Sequence, residues 1–145
     1  MKHWQPIYDI AQLCSVKGIR DVILCPGSRS APLTLAFAQH SKINTRTFSD
    51  ERSAAFIAFG IAHQTNMPAV LVCTSGSAVY NFAPAVAEAF FQQIPLIVFT
   101  ADRPSEWIDQ LDGQTIRQKN IYGNHVKKSF DLPQEYDHED SQWHI

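Results

Sequence analysis

The sequence predicts an α/β fold, a mostly parallel sheet with helices on both faces, and three observations carry the prediction. Short apolar runs recur along the chain, each bounded by Pro, Gly, Asn or Asp. Segments with helical spacing stand between them. The runs are apolar throughout rather than alternating, which is the pattern of parallel strands covered on both sides. A chain of 145 residues is long enough for one domain and one core, burying about 68% of its unfolded surface, and too short for two ordinary ones.

Taken in order, Ile7, Ile10, Ala11 and Cys14 fall at i, i+3, i+4 and i+7, an amphipathic helix that Gly18 ends. Asp21–Cys25 is a buried strand running into the loop Pro26-Gly27-Ser28-Arg29-Ser30. Ser30 then stands as N-cap before Ala31-Pro32 and a helix reaching Gln39. Asn44–Phe48, rich in β-branched and aromatic residues, is the second strand, and Glu51–Gln64 is a helix too apolar to lie on a surface. After Asn66-Met67-Pro68 comes the clearest strand, Ala69–Cys73. Thr74-Ser75-Gly76-Ser77 turns into a helix over Ala78–Phe91, with Pro84 in its first turns or kinking it. Leu96–Ala101 is the fourth strand. Beyond Asp102-Arg103-Pro104 periodicity fades, so Ser105–Asn124 reads as a loop with one short helix. Val126–Phe130 reads as a possible fifth strand, and a polar acidic segment follows Leu132-Pro133. A helical pattern is only starting at Gln142–Ile145, so the expected arrangement is a single domain, residues 1–145, cut from a longer chain.

Composition excludes several classes. Hydrophobic content of 45%, charged content of 18% and a net charge of −2 are those of an ordinary globular domain. The only adjacent basic pair is Lys127-Lys128, with no basic stripe for nucleic acid. Cys14, Cys25 and Cys73 lack C-x-x-C spacing, so they read as small buried hydrophobes rather than a disulfide framework or zinc site. His138 and His144 belong to a polar tail without metal-ligand spacing. No apolar run approaches the roughly 18 residues of a membrane span, and MKHWQPIYDI is not a signal sequence. The expectation is a cytoplasmic protein with no membrane insertion.

In open α/β sheets ligands bind beyond the carboxyl ends of the strands. Those positions hold Pro26–Ser30, Ser49-Asp50-Glu51, Thr74–Ser77 and Ala101–Pro104. A dinucleotide site would need more glycines than the single one in P-G-S-R-S, and no G-x-x-x-x-G-K-[ST] or G-x-S-x-G is present. A dehydrogenase is therefore a weak reading, to be excluded by titration with NAD(P). Arg29 and Arg103 both follow strand ends, and a guanidinium binds a carboxylate bidentately. Either the two imply an anionic ligand or each pairs with a local acid such as Asp50 or Asp102. Glu51 opens a buried helix. It is either a first-turn carboxylate favoured by the helix dipole, with Ser49 or Asp50 as cap, or a functional acid.

In order, C-P-G-S-R-S-A-P-L-T, S-D-E-R-S-A-A-F-I-A-F-G-I-A, T-S-G-S-A-V-Y-N, T-A-D-R-P-S-E and G-Q-T-I-R-Q closely resemble the N-terminal domain of the 2-succinyl-5-enolpyruvyl-6-hydroxy-3-cyclohexene-1-carboxylate synthase family. These enzymes of menaquinone biosynthesis depend on thiamine diphosphate and Mg. The resemblance covers most of Ile7–Phe130. It implies a pyrimidine-binding domain and a carboligation, in which 2-oxoglutarate is decarboxylated on the cofactor and the remaining unit is added to isochorismate.

The resemblance gives Glu51 the catalytic role, hydrogen-bonded to N1′ of the aminopyrimidine. Such a carboxyl must share or hold a proton, which an apolar setting favours, with Phe48, Phe56 and Ile57 as candidates to supply it. It further implies Pro26, Ser75 and, more weakly, Asn81 against the pyrimidine. Ser28, Arg29, Arg103 and Gln114 are implied for substrate carboxylates and hydroxyls. Asp112-Gly113 departs from the Ala-Asn common in the family, so any Asn side-chain contact there is missing. No Gly-Asp-Gly with a downstream Asn occurs, so no metal ligand is assigned, and the Mg and diphosphate half belongs to a domain absent from this chain. The family pattern also implies a homo-oligomer, at least a dimer. The competing reading is a non-catalytic α/β ligand-binding or assembly module. Sequence beyond Ile145 separates the two.

Overall fold

The computed structural model describes residues 4–133. The sheet has four strands, β1 (Asp21–Cys25), β2 (Asn44–Thr47), β3 (Ala69–Cys73) and β4 (Leu96–Thr100), all parallel and in the order β2-β1-β3-β4. Helix α1 (Gln5–Val16) precedes β1, α2 (Ala31–Ala38) follows it and α3 (Glu51–Thr65) joins β2 to β3. Helices α4 (Ser77–Asn81) and α5 (Ala83–Gln92) join β3 to β4. The path from β1 to β2 runs one way along the sheet and the path from β2 to β3 runs back across β1. Right-handed crossovers therefore put α2 and α3 on opposite faces.

The core divides accordingly. On one face Val22, Leu24, Val70 and Val72 pack against Ala11, Cys14, Ala36 and Phe37 of α1 and α2. On the other, Ile23, Cys25, Leu71 and Cys73 pack against Ala54, Ala55, Ala58 and Ala62 of α3 and against Val79, Phe82 and Ala85 of α4 and α5. Alternate side chains of a strand point to opposite faces, so each apolar run feeds both layers. Helix α3 meets the sheet with four alanines, which lets its backbone lie close to β1 and β3.

Local chemistry sets the boundaries. Asp50 caps α3, its Oδ1 accepting the Ser53 N–H at 2.7 Å, and Asn66 ends the helix at φ 52°. Bonds from Ser53 hold the Asp50 carboxyl below the usual carboxylate range. Ser30 occupies the cap position of α2, but its hydroxyl turns back to Gly27, accepting that N–H at 3.0 Å and donating to that carbonyl at 3.2 Å. Pro32, at the second helical position, has no N–H to offer, so the hydroxyl closes the loop instead.

Two expectations need correction. The helix expected over Ala78–Phe91 breaks at Phe82 into α4 and α5, with Pro84 in the first turn of α5. The fifth strand expected at Val126–Phe130 does not form. Val126 packs onto the α3 layer, whereas Lys127–Phe130 are exposed and pair with nothing among the described residues. Strand β4 is thus the sheet edge, half-buried along its length. The expectations for His138, His144 and Gln142–Ile145 lie outside the described residues. Among the described residues no helix is long and apolar enough to cross a membrane.

Candidate functional site

The order β2-β1-β3-β4 reverses direction between β1 and β3, and at such a switch point the loops diverge and leave a crevice beyond the carboxyl ends of the strands. The loops after β1 and β3 touch at its base. A Cβ on Gly27 would lie 2.5 Å from Cβ of Thr74, so only glycine permits this approach. The Thr74 hydroxyl is buried there without a hydrogen-bond partner among the described residues.

Glu51 is half-buried at the start of α3 and makes no ion pair or hydrogen bond among the described residues. Beneath it lie Cys25 and Cys73, paired in register at the ends of β1 and β3 and essentially sealed from solvent. Burial chiefly, with the charge of Glu51 adding to it, pushes the Cys25 thiol up to about 12 and raises Cys73 as well. That coupling gives the carboxylate a neutral, weakly polar floor. Phe48 and Ile57 are partly buried and pack against the same layer. Phe56 does not. It is exposed and meets Phe59 edge to face, because position 56 falls on the opposite side of α3 from Ala54, Ala55 and Ala58.

Arg29 and Arg103 come together. The guanidinium carbons lie 5.2 and 5.7 Å from the centroid of one indole, Trp107, in the 3-10 turn Ser105–Trp107. Neither arginine has an acidic partner among the described residues, which removes the pairing with Asp50 or Asp102. Asp102 instead accepts the backbone N–H of Arg103 at 2.7 Å, and partial burial raises its carboxyl above the ordinary range. Arg103 Nη2 donates to the Gly113 carbonyl at 3.1 Å, while its Nε is buried and has no partner among the described residues. At the departure Asp112-Gly113 it is therefore a main-chain carbonyl that meets the arginine.

The segment 113–118 crosses the mouth of β3 and β4. The Ser75 hydroxyl donates to the Gln114 carbonyl at 3.0 Å. Gly76, at φ 84°, lies so close to Gln114 that a Cβ would come within 2.8 Å of its backbone. The Gln114 side chain is exposed. Gln118 is buried, its Oε1 accepting the Gly76 N–H at 2.7 Å and its Nε2 donating to the Ala101 carbonyl at 2.8 Å. Neither Gln118 nor Trp107 stood out in the sequence. A glutamine four residues before a half-buried tyrosine has no periodic signature, and Trp107 resembles any surface aromatic. The available signals were, for Trp107, its closeness to Arg103 in sequence and, for Gln118, its place as the last residue of G-Q-T-I-R-Q.

Three further candidates are exposed and make no side-chain contact with this cluster among the hydrogen bonds of the described residues. Pro26 and Ser28 are exposed in the loop after β1. Asn81 is exposed at the end of α4 and donates to the Ser77 carbonyl of its own helix at 3.3 Å. No group of three His, Cys, Asp or Glu side chains able to hold a metal occurs among the described residues.

A parallel α/β domain with a lone carboxylate and paired cations at its switch point defines a class that the family comparison identifies. Residues 8–127 match the model of the thiamine pyrophosphate enzyme, N-terminal TPP binding domain, and the chain belongs to that family. Within it, the chain is similar to proteins named 2-succinyl-5-enolpyruvyl-6-hydroxy-3-cyclohexene-1-carboxylate synthase. The protein from Cytophaga hutchinsonii is 58% identical over 139 residues, covering 96% of this chain and 25% of that protein. The one from Flavobacterium johnsoniae is 60% identical over 116 residues, 80% of this chain and 21% of its own length. The one from Desulfotalea psychrophila is 47% identical over 135 residues, 93% and 25% respectively. The chain thus spans about a quarter of the curated relatives it matches.

Proposed function

We propose that this chain supplies the pyrimidine-binding part of the active site of a thiamine diphosphate-dependent synthase of menaquinone biosynthesis, joining the decarboxylated 2-oxoglutarate unit to isochorismate. The reading includes a longer chain whose further domain holds Mg and the diphosphate, and a homo-oligomer of at least two subunits. The observation that carries it is Glu51, a half-buried carboxylate without a protein partner among the described residues, above the buried thiols at the ends of β1 and β3. That donor fits the pyrimidine half of the cofactor. An aminopyrimidine ring presents a ring nitrogen that a carboxyl without a protein partner can bond and exchange a proton with. The bound cofactor supplies an electron sink for the bond made and the bond broken.

In this reading the residues of the chain divide the work. Glu51 holds or gives the proton at N1′. Pro26 and the Thr74-Ser75-Gly76 turn form the wall of the crevice. Arg29, Arg103, Ser28 and Gln114 receive the carboxylates and hydroxyls of the substrates, with the two guanidinium groups as the charged anchor.

The experiment is steady-state kinetics on the full-length enzyme. Glu51→Gln keeps the shape and removes the acid, so turnover should fall by about two to four orders of magnitude with an unchanged melting temperature. Retention of most of the turnover would remove Glu51 from the chemistry. Arg103→Ala should raise KM for a carboxylate substrate more than it weakens cofactor binding, and the opposite ranking would assign that arginine elsewhere.

A further inference from the structure

We propose that Trp107 is a positioning residue that sets the spacing of Arg29 and Arg103 and so the anion geometry the site accepts. The inference rests on the reading that these two arginines hold substrate carboxylates. Arg29 comes from the loop after β1 and Arg103 from the loop after β4, two strands away across β3. Two cations drawn to one point repel, and folded proteins ordinarily relieve such pairs with a carboxylate. Here no acid pairs with either arginine among the described residues. Both approach a single indole instead, one guanidinium carbon 5.2 Å and the other 5.7 Å from the ring centroid.

The choice of an aromatic has a chemical consequence. A carboxylate partner would occupy the N–H fork and neutralise the charge, competing directly with an anionic ligand. The ring quadrupole attracts both cations while offering no oxygen acceptor, so charge and donors stay available. Arg103 is further fixed by its bond to Gly113, and its buried Nε lacks a partner among the described residues. Trp107 is itself 40% exposed, and the turn that carries it starts directly after Arg103-Pro104. Its orientation and that of Arg103 are therefore set by one short stretch of backbone. Among the described residues the Arg29 side chain has no hydrogen bond or ion pair, so its recorded partner is the indole.

The test compares Trp107→Leu and Trp107→Phe with Arg29→Ala and Arg103→Ala in the full-length enzyme, reading kcat and KM for 2-oxoglutarate and isochorismate alongside melting temperature. Loss of two exposed cation–π contacts should raise KM for at least one carboxylate substrate by about three- to tenfold in Trp107→Leu. Its kcat should stay within about twofold of the parent. Trp107→Phe, which keeps an aromatic face, should recover most of the loss, and it also serves if the leucine variant folds poorly. Parental KM values for both substrates in Trp107→Leu, or a phenylalanine variant as impaired as the leucine one, would overturn the role of Trp107. Parental KM values in both arginine variants would instead overturn the underlying reading of the site.

Discussion

Gly27 and Thr74 show how single side chains define the crevice. Their loops leave adjacent strands, and the missing Cβ on one accommodates the whole β-carbon branch of the other, with Thr74 Cβ, Oγ1 and Cγ2 all within 2.8 Å of the position a Cβ would take. Gly27→Ala must push the P-G-S-R-S loop away from β3. The expected cost is about 1–3 kcal/mol of stability from overpacking, read by chemical denaturation. Adding Thr74→Ala removes Oγ1 and Cγ2 but keeps Cβ, so rescue should be partial. Full rescue by that second change would mean that the branch atoms alone set the gap. Glu51 and the arginines were legible as candidates because strand-end positions can be counted from apolar runs. Their partners were not legible. The indole shared by Arg29 and Arg103 joins residues 74 positions apart in sequence, and no local pattern encodes that.

At the scale of elements, β1, β3 and β4 follow from apolar runs and their punctuation, whereas β2, largely exposed, follows from its β-branched residues. The stretch from Ser105 to Val126 is different. Its order comes from single long-range bonds: Ser75 to Gln114, Gln118 to Gly76 and Ala101, and the Tyr122 hydroxyl to the Val79 carbonyl at 2.9 Å. Such bonds leave no periodicity, which is why the segment reads as loop and why Val126–Phe130, with one partly buried residue, reads wrongly as a strand. Gln118→Ala should cost about 1–3 kcal/mol by leaving a buried N–H and a buried carbonyl unpaired. Gln118→Glu makes a sharper probe. Its ionised form can still accept from Gly76 but sets an oxygen against the Ala101 carbonyl, so its carboxyl should titrate above the ordinary range. A folded value raised in this way means stability held at acid pH and lost as pH rises through that value. Denaturation midpoints should therefore fall between mildly acidic and neutral pH in the glutamate variant and stay level in the alanine one. Parallel profiles in the two would show that Gln118 is not a donor to Ala101.

For the molecule as a whole, the two-layer core places ionisable groups where only their neutral forms are comfortable. Cys25 and Cys73 lie side by side in one layer and Cys14 lies in the other, and burial raises all three thiols. Tyr122, bonded to Val79 and raised chiefly by burial, adds a fourth group in the Cys25 layer. These thiols were legible as buried hydrophobes, but their place beneath Glu51 depends on the sheet order, which composition does not encode. The consequence for stability has a definite sign. In the unfolded chain a thiol loses its proton near its ordinary value of 9.0, whereas Cys25 in the fold keeps its proton to about 12. Between those values the native state binds more protons, so the stability that is fully present below pH 9 is lost progressively as pH rises. Urea titrations of the parent and Cys25→Ala at a series of pH values isolate the contribution, since other alkaline groups are common to both. The alanine variant should show a shallower decline above pH 9, and its native state should lose none of its resistance to iodoacetamide at pH 8, because the remaining thiols stay protonated and enclosed. Identical slopes in the two proteins would show that the Cys25 thiol titrates alike folded and unfolded, and that the floor beneath Glu51 is open to water.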